Sequence, residues 1–276
     1  MTMTGAVLAD THCHLNLSAF DADRQEVLQR ARTAGVAAIL VPGIDIASSR
    51  DAVTLAEKEL GVFAAVGIHP HDSAGWSPQA EDALVALAAN RRVVALGEIG
   101  LDYYRDYAPG EVQRKAFSRQ LELAADLERP VVIHQRDSLD DVLSILSDWV
   151  KTLPPSLTGR AGVLHAFSGD SKDAEEAIQL GFYLGIGGPV TFRKADRIKK
   201  VVADVDLDHL LLETDAPYLA PHPMRGKRNE PGYLTYTAEA VAAIQSATLD
   251  DVLHATARNA NHLFQWSEDP GDNPLS

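Results

Sequence analysis

The chain has 276 residues, of which 46% are hydrophobic, and it carries a formal net charge of −14 at pH 7. This composition is that of an ordinary soluble protein, and the negative charge argues against a broad basic face that grips duplex nucleic acid. No apolar run is long enough to cross a bilayer, and residues 1–10 lack the features of a signal peptide, so we expect a cytoplasmic protein with no membrane partner. The single cysteine, Cys13, excludes an internal disulfide and is expected to be a small packed side chain.

Short apolar, β-branched runs alternate with amphipathic segments along the chain. The pattern predicts eight strands, at residues 7–15, 36–43, 62–69, 93–102, 130–137, 162–169, 182–188 and 207–215. Helices are predicted at residues 21–35, 46–61, 78–90, 110–128, 138–150, from 171, 195–205, 236–246 and 249–264. Asp21 and Ser138 are the expected N-terminal caps of the helices that they begin.

Eight β/α units in a chain of this length predict an α/β fold, a (β/α)8 TIM barrel, formed by a single domain over residues 1–266. Residues 267–276 are rich in Pro, Asp and Gly and are expected to be a flexible tail. The structural alternative is an open doubly wound sheet. No glycine-rich phosphate loop opens the first predicted helix, which argues against that alternative.

Metal-binding side chains fall at the carboxyl ends of the predicted strands. They are His12, His14, Glu98, His134, His165 and Asp215. In an extended strand His12 and His14 point to the same side, while Cys13 points to the other. Each residue alone is more often structural, but in a closed barrel these strand ends share one mouth, where enzymes of this fold build their active sites. The common register therefore favours one site over six unrelated structural residues.

Four imidazoles and two carboxylates exceed what a single catalytic cation with an open position needs. The set suits a binuclear metal site at the C-terminal mouth of the strands, with two cations bridged by a carboxylate. Nitrogen-rich ligation favours Zn, Mn, Fe or Co, although a partly carboxylate site also accepts Mg. Two such cations stabilise the attacking and the leaving oxygen of an in-line displacement, which indicates hydrolysis, especially of phosphate esters.

Ordered motifs cover nearly the whole chain: DTHCHL at 10–15, GIHPH at 67–71, GEIGLDY at 97–103, HQR at 134–136, HAFSG at 165–169, ETDAPY at 213–218, RGKRNEP at 225–231 and NANHLF at 259–264. With these motifs the sequence resembles the TatD family of metal-dependent deoxyribonucleases. The resemblance implies a barrel of the amidohydrolase kind, two divalent cations per chain (Mg, Mn, Zn or Co) and 3′ to 5′ exonuclease action on DNA. Single strands or 3′ ends would be the substrate, and repair or nucleic-acid turnover the setting.

The resemblance also implies a role for each matching residue. The expected ligands of the first cation are His12, His14 and Asp215, those of the second are His134 and His165, and Glu98 is the expected bridge. A metal-bridging hydroxide would attack the terminal phosphodiester, and Asp215 would accept the proton. Glu213 shares a strand face with Asp215, so it assists proton transfer, holds a third ion or is a structural carboxylate.

Other motif residues are candidates for contact with the substrate. His69 could donate to a phosphate oxygen or be structural. Arg136 and Ser168 follow predicted ligands by a few residues, so they either contact the substrate or orient those ligands.

A short basic cluster follows the eighth predicted strand. Arg225, Lys227 and Arg228 form either a solvated loop or, beside the site, a contact for the phosphate backbone, and we favour the contact. Tyr103 and Tyr104 are expected to pack against a neighbouring loop rather than to stack on a base.

Two other functions fit the same motifs. The first is a small-molecule hydrolase of the same superfamily, acting on an amide, a lactone or a phosphotriester, because function resides in the loops of a shared fold. Related binuclear amidohydrolases bridge their metals with a modified strand lysine, and no predicted strand here contains lysine, which argues against this function. The second is a catalytically silent metal-binding partner in a repair complex, which the complete ligand set opposes. We expect a monomer.

Overall fold

The computed structural model describes residues 8–105 and 107–266. Eight parallel strands pair with one another in chain order. They are β1 Leu8–Asp10, β2 Val36–Pro42, β3 Val62–Val66, β4 Val93–Asp102, β5 Val131–Arg136, β6 Gly162–Leu164, β7 Phe182–Ile186 and β8 Leu210–Leu212. The predicted tail at 267–276 lies outside the described residues, and the single-domain boundary at residue 266 stays a prediction.

Hydrogen bonds just beyond the first and last strands bring the two edges of the sheet together. The backbone N–H of Thr11 donates to the carbonyl of Leu212 over 3.0 Å, and that of Asp215 donates to the carbonyl of His12 over 2.8 Å. The edges of the sheet therefore pair with each other, as they do in a barrel. The predicted (β/α)8 TIM barrel is confirmed.

Nine α-helices surround the barrel in the described part of the chain. They are α1 Arg24–Thr33, α2 Ile46–Lys58, α3 Pro78–Ala88, α4 Gly110–Asp126, α5 Leu139–Trp149, α6 Ser171–Gln179, α7 Asp196–Asp204, α8 Leu234–Gln245 and α9 Leu249–Phe264. Each of β1 to β7 is followed by one of them, and β8 is followed by two. Among the described residues, no helix combines the length and the apolar composition needed to cross a membrane.

Several strands end earlier than the sequence predicts. The first, sixth and eighth were expected to continue to residues 15, 169 and 215, but they end at Asp10, Leu164 and Leu212. The backbone turns away from the extended conformation there, and Ala166 and Asp215 adopt left-handed φ angles of 45° and 54°. The site residues on these segments therefore lie just past the strands, on turns at the barrel mouth.

The two predicted helix caps are wrong in detail. Helix α1 begins at Arg24, three residues later than expected, with Asp23 at the N-cap position, and the Asp21 carboxylate accepts a hydrogen bond from the Arg24 guanidinium over 2.6 Å. Ser138 does precede α5, but its hydroxyl donates to the carbonyl of Leu101 over 2.8 Å and does not cap the helix.

Aromatic rings close the barrel interior at the amino ends of the strands. Trp266, just after α9, is fully buried, and its ring centroid lies 5.1 Å from that of Phe63 and 4.9 Å from that of Phe264. Phe63 stands near the amino end of β3, so this aromatic plug lies opposite the strand ends that carry the site. A second, larger apolar layer packs the helices against the outside of the barrel.

Replacing Trp266 by alanine should lower the free energy of unfolding by about 3–5 kcal/mol, because a fully buried indole leaves a cavity that the rigid barrel cannot refill. Urea denaturation followed by circular dichroism measures the change. Leu249→Ala, at a residue that is 39% exposed, is the control and should change stability by less than about 0.5 kcal/mol. Equal stability of the Trp266 variant and the wild type would show that the plug does not stabilise the barrel.

Candidate metal centre

Polar side chains from six of the eight strands converge at the carboxyl end of the barrel. They are His12, His14, His69, Glu98, His134, His165 and Asp215. All are buried except His134 and Asp215, which are partly buried. The structure thus brings together the six predicted metal ligands, and it adds His69, which was predicted to contact the substrate.

Glu98 lies at the centre of this cluster and turns one carboxylate oxygen to each side of it. Oε2 lies 3.3 Å from Nε2 of His12 and 3.6 Å from Nε2 of His14. Oε1 lies 2.7 Å from Nδ1 of His134 and 3.7 Å from Nε2 of His69. A single carboxylate therefore faces two pairs of imidazoles, which is the arrangement expected of a bridging ligand.

Asp215 and His165 complete the cluster on the side of His12. Oδ1 of Asp215 lies 3.6 Å from Nε2 of His14, 3.9 Å from that of His12 and 4.0 Å from that of His165. The rings of His12 and His165 stack almost in parallel, with their centroids 3.5 Å apart. Nε2 of His165 also lies 3.9 Å from Oε1 of Glu98, the oxygen that faces His134, so His165 lies between the two sides of the cluster and its grouping with His134 stays a prediction.

The donor atoms are arranged as a metal centre requires. Three groups each place their donor atoms within 4.8 Å of one another: His12, His14 and Glu98; His12, His165 and Asp215; and His69, Glu98 and His134. Nε2 of His12 and Nε2 of His14 are only 3.2 Å apart, so their lone pairs repel unless a proton or a cation lies between them. Imidazole nitrogens and carboxylate oxygens are ligands for Zn, Mn or Co, and the carboxylates also suit Mg. The residues present therefore fit divalent cations.

The buried carboxylate of Asp102 contacts the His134 ring at the nitrogen that does not face Glu98. Oδ2 of Asp102 lies 3.0 Å from Nε2 of His134 and also 3.0 Å from Nε2 of His71, so it can accept a hydrogen bond from each ring. Its Oδ1 accepts the backbone N–H groups of Tyr104 and Arg105. Burial opposes a proton on His134, but the Asp102 and Glu98 carboxylates, one at each ring nitrogen, outweigh it and raise the pKa of His134. A cation that binds Nδ1 must therefore displace a proton there, while Nε2 keeps its bond to Asp102.

Two more carboxylates support the neighbouring ligands. Oε1 of Glu213 lies 3.0 Å from Nδ1 of His165 and accepts the backbone N–H of Ala166 over 2.7 Å. Gly185 makes room for it, because a Cβ at that position would lie 2.3 Å from Oε2 of Glu213. Asp10 accepts the backbone N–H of His12. Each of these acids therefore holds a ligand-bearing segment and lies outside the three donor groups.

Asp10 also joins the first strand of the barrel to the segment that follows the last strand. Its carboxylate accepts the backbone N–H of Thr214 over 2.9 Å and the Thr214 hydroxyl over 2.6 Å. Because burial raises the pKa of Asp10 to about 8, the group is largely protonated at neutral pH. Its hydrogen bonds connect the segment that carries His12 to the segment that carries Asp215.

Burial sets the protonation of the imidazoles. It lowers the pKa of His12 well below its ordinary value, that of His14 to about 4 and that of His69 to about 3, so all three are neutral ligands at neutral pH. Burial opposes the proton on His165 too, but the Glu213 carboxylate outweighs this and raises the pKa of His165 to about 10. A cation that binds His165 must therefore displace a proton.

The two acids of the cluster are shifted in opposite directions. Burial alone would raise the pKa of Glu98, but the charges and hydrogen bonds of the surrounding imidazoles, His12 foremost, hold it well below its ordinary value. Burial raises the pKa of Asp215 to about 7. The surroundings therefore favour the ionised form of Glu98, whereas Asp215 can take up or release a proton near neutral pH.

The predicted substrate-binding residues lie around the mouth. Arg136, at the end of β5, is exposed, and its guanidinium lies 3.8 Å over the Tyr104 ring. Arg225 is exposed and lies 4.2 Å over the Phe192 ring. In the described part of the chain no carboxylate pairs with either guanidinium. Ser168 donates to Oε1 of Gln135 over 2.8 Å, so it orients the residue next to His134.

The third arginine of the basic loop has a different role. Arg228 makes two hydrogen bonds to the Asp23 carboxylate, of 2.8 and 2.7 Å, and lies over the Phe20 ring. This pairing holds the pKa of Asp23 at about 2. The predicted phosphate-binding cluster is therefore divided, because Arg228 ties the loop to α1 while Arg225 has no carboxylate partner within residues 8–105 and 107–266.

Sequence reasoning missed Asp102 and His71 as members of the site. Asp102 lies four residues after Glu98 on β4, so both side chains are on the same face of the strand. His71 lies two residues after His69 in the same motif. Strand alternation was thus the available signal for Asp102, although it does not reveal that the two acids contact different nitrogens of His134.

A barrel with buried imidazoles and carboxylates gathered at its carboxyl end defines a metal-dependent hydrolase. Comparison with known proteins agrees, because the profile of the family described as "TatD related DNase" matches residues 9–265. The chain belongs to the TatD family.

Individual relatives match over most of their length. The uncharacterized metal-dependent hydrolase YabD of Bacillus subtilis is 39% identical over 94% of this chain and 99% of its own. The 3′-5′ ssDNA/RNA exonuclease TatD of Klebsiella pneumoniae is 36% identical over 92% of this chain and 97% of its own. The crystal structure of YJJV, a TatD homolog from Escherichia coli, superposes with a TM-score of 0.87 at 34% identity and covers 94% of this chain and 98% of its own.

Replacing Asp102 by asparagine should weaken cation binding about 10- to 100-fold. The N–H₂ group of the asparagine would face ring or backbone N–H donors, which in the wild type meet only carboxylate oxygens. Competition with a colorimetric chelator, titrated with Mn or Zn, measures the affinity. Asp141→Asn is the matched control, since Asp141 is exposed at the same mouth and its carboxylate contacts Tyr103 and Arg114 among the residues that the structure describes. Wild-type affinity in a folded Asp102→Asn protein would show that Asp102 does not fix the tautomer of His134.

Proposed function

We propose that this protein hydrolyses phosphodiester bonds from the 3′ end of single-stranded DNA with the help of two divalent cations. The observation that carries the proposal is the position of Glu98, whose two oxygens face two separate groups of imidazoles. Two cations joined by one carboxylate suit phosphodiester cleavage. The exonuclease name of relatives that are 36% identical supports DNA or RNA as the substrate class.

The proposed ligands divide around Glu98. His12, His14 and Asp215 would hold the first cation, and His134 and His165 the second, with His69 close to the second group. Mg, Mn, Zn and Co all fit these donors. When bound, such cations lower the pKa of a water molecule and neutralise charge on the phosphate.

The acids of the site would move the proton. Asp215 has a pKa near 7 and lies at the partly open edge of the cluster, so we assign to it the acceptance of the proton released when water attacks. Glu213 would assist through its contact with His165, and its buried Oε2 has no hydrogen-bond partner within the described residues. His165, which lies between Glu213 and Asp215, would transfer the proton from one acid to the other.

The exposed arginines would hold the phosphates. Arg136 and Arg225 each lie flat on an aromatic ring, which fixes the guanidinium and leaves its N–H groups free to bind an anion. Because the protein is acidic overall, the phosphate backbone would be held by these local contacts and not by a broad basic face. We further propose a monomer that serves cytoplasmic nucleic-acid turnover or repair.

Metal-stripped protein should cleave 5′-labelled single-stranded DNA only after Mg, Mn, Co or Zn is restored, and the product ladder should shorten from the 3′ end. Glu98→Gln should reduce turnover by more than roughly 100-fold, the loss typical of changes to residues that hydrogen-bond to a metal ligand. The larger loss is expected because the substitution removes the negative charge that both cations would share. Glu176→Gln, on the exposed face of α6, is the matched control and should cleave at the wild-type rate.

The outcome of this assay separates the possible functions. If two ions bind but no oligonucleotide is cleaved with any metal, the exonuclease proposal fails and hydrolysis of a small amide, lactone or phosphotriester takes its place. Cleavage that begins at internal bonds would overturn the 3′ polarity alone.

Arg136→Gln and Arg225→Gln should each lower the salt dependence of single-stranded DNA binding by about 0.7 in the slope of log K against log salt, since each arginine would release about one counterion. Fluorescence anisotropy at several salt concentrations measures the slope. Arg228→Gln is the control, because its guanidinium is already paired with Asp23, and it should leave the slope unchanged. An unchanged slope in the first two variants would remove both arginines from the phosphate-binding site.

A further inference from the structure

Two tyrosine rings stand open to solvent beside the metal centre. Tyr107 is 66% exposed and Tyr218 is 53% exposed, whereas most aromatic residues of the described chain are buried or partly buried. Tyr107 lies on the loop after β4, and Tyr218 lies on the loop after β8. Large exposed rings next to a catalytic site indicate a contact that the free protein does not make.

Tyr218 lies on the His14 side of the cluster. Its ring centroid is 6.1 Å from that of His14, one of the groups that face Oε2 of Glu98. The backbone around it is fixed, because the side-chain amide of the fully buried Asn229 donates to the carbonyls of Thr214 and Tyr218 over 2.8 and 2.7 Å. An exposed ring is therefore carried by a rigid backbone.

Tyr107 lies on the opposite, His134 side. Its ring centroid is 4.8 Å from that of His71, which shares the Asp102 carboxylate with His134. Ala108, the residue after Tyr107, is fixed in the same manner, because the amide of the buried Gln113 donates to the carbonyls of Asp102 and Ala108 over 3.0 and 2.8 Å. The two rings thus flank the centre on the two sides that Glu98 bridges.

The other exposed tyrosines of this mouth are already engaged. The Tyr103 hydroxyl donates to Asp141 and accepts from Arg114, and the Tyr104 ring is covered by the Arg136 guanidinium at 3.8 Å. Tyr107 and Tyr218 have no hydrogen bond through their hydroxyl groups and no stacked cation within the described residues. They are therefore the two rings available to a ligand.

We propose that Tyr107 and Tyr218 are stacking positions for the bases of a single-stranded nucleic acid, one on either side of the bond to be cleaved. This inference rests on the proposed function and specifies the form of its substrate. Bases stack on aromatic side chains without sequence preference, because every base has a π face, but that face is free only when the base is unpaired. Paired bases in a duplex are stacked on one another and cannot reach the two rings, so the site selects single-stranded ends.

Equilibrium binding tests the proposal without turnover. Metal-loaded protein is titrated into a fluorescent single-stranded oligonucleotide whose 3′-terminal linkages are phosphorothioates, which resist cleavage, and anisotropy is recorded. Tyr107→Ala and Tyr218→Ala should each weaken binding about tenfold, and Tyr107→Phe and Tyr218→Phe should bind within about twofold of wild type, because the ring and not the hydroxyl makes the contact. Leu60→Ala, at a residue that is 70% exposed in the turn before β3, is the surface control.

Substrates that lack one base identify the contact. A series of oligonucleotides carries a single abasic site at the first, second or third position from the 3′ end. At one position the missing base should weaken wild-type binding, and Tyr218→Ala should then cause no further loss. A second position should show the same non-additivity with Tyr107→Ala.

The outcomes distinguish this inference from the proposed function. Wild-type affinity in both alanine variants, equal losses in the alanine and phenylalanine variants, or losses that add to every abasic site would each overturn the stacking positions. If wild-type protein does not bind the single strand at all, the inference is also overturned. If wild-type protein binds it with the predicted tyrosine dependence but never cleaves the unmodified strand, the stacking positions stand and the exonuclease proposal fails.

Discussion

The buried negative charge of Glu98 is the constraint on which the rest of the site depends. A carboxylate that is 3% exposed at the centre of a barrel mouth is costly unless positive charge or hydrogen-bond donors surround it. Four imidazoles lie within 3.7 Å of its two oxygens, and against the effect of burial they hold the pKa of Glu98 well below its ordinary value. Burial opposes protonation of His12, His14 and His69, so the proposed divalent cations would supply the positive charge that these three rings lack when they are neutral.

Rigid support for these donors comes from a second set of buried acids. Asp102, Glu213 and Asp10 each touch a ligand or its backbone, and each also bonds to the neighbouring chain segment. A ligand ring held on one nitrogen keeps its other nitrogen aimed at the centre. The same acids join the ends of β1 with β8 and of β4 with β5, so barrel closure and ligand geometry depend on one network.

The strand end on which a residue lies could be predicted from periodicity. The contacts that its side chain makes with residues distant in sequence could not. Strand spacing placed His12, His14, Glu98, His134, His165 and Asp215 at one mouth, because parallel strands in a closed barrel leave no other choice. The orientations of the rings could not be predicted, because they depend on packing between distant residues: His165 stacks on His12, and His69 faces Glu98. Arg225 and Arg228 look alike in sequence, but among the described residues only Arg228 meets an acid, Asp23, which lies 205 residues away.

An acidic protein that handles a polyanion must limit how much of the polyanion approaches it. With a net charge of −14, the protein repels a long polyanion as a whole, whereas a chain end would bring only a few phosphates into the mouth. Arg136 and Arg225 have no carboxylate partner among the described residues, while Arg228 is neutralised by Asp23. Under the proposed function, repulsion by the whole protein and attraction at these arginines would favour a terminal nucleotide over an internal one. This preference needs no recognition of base sequence, and it agrees with open tyrosine rings that any unpaired base can cover.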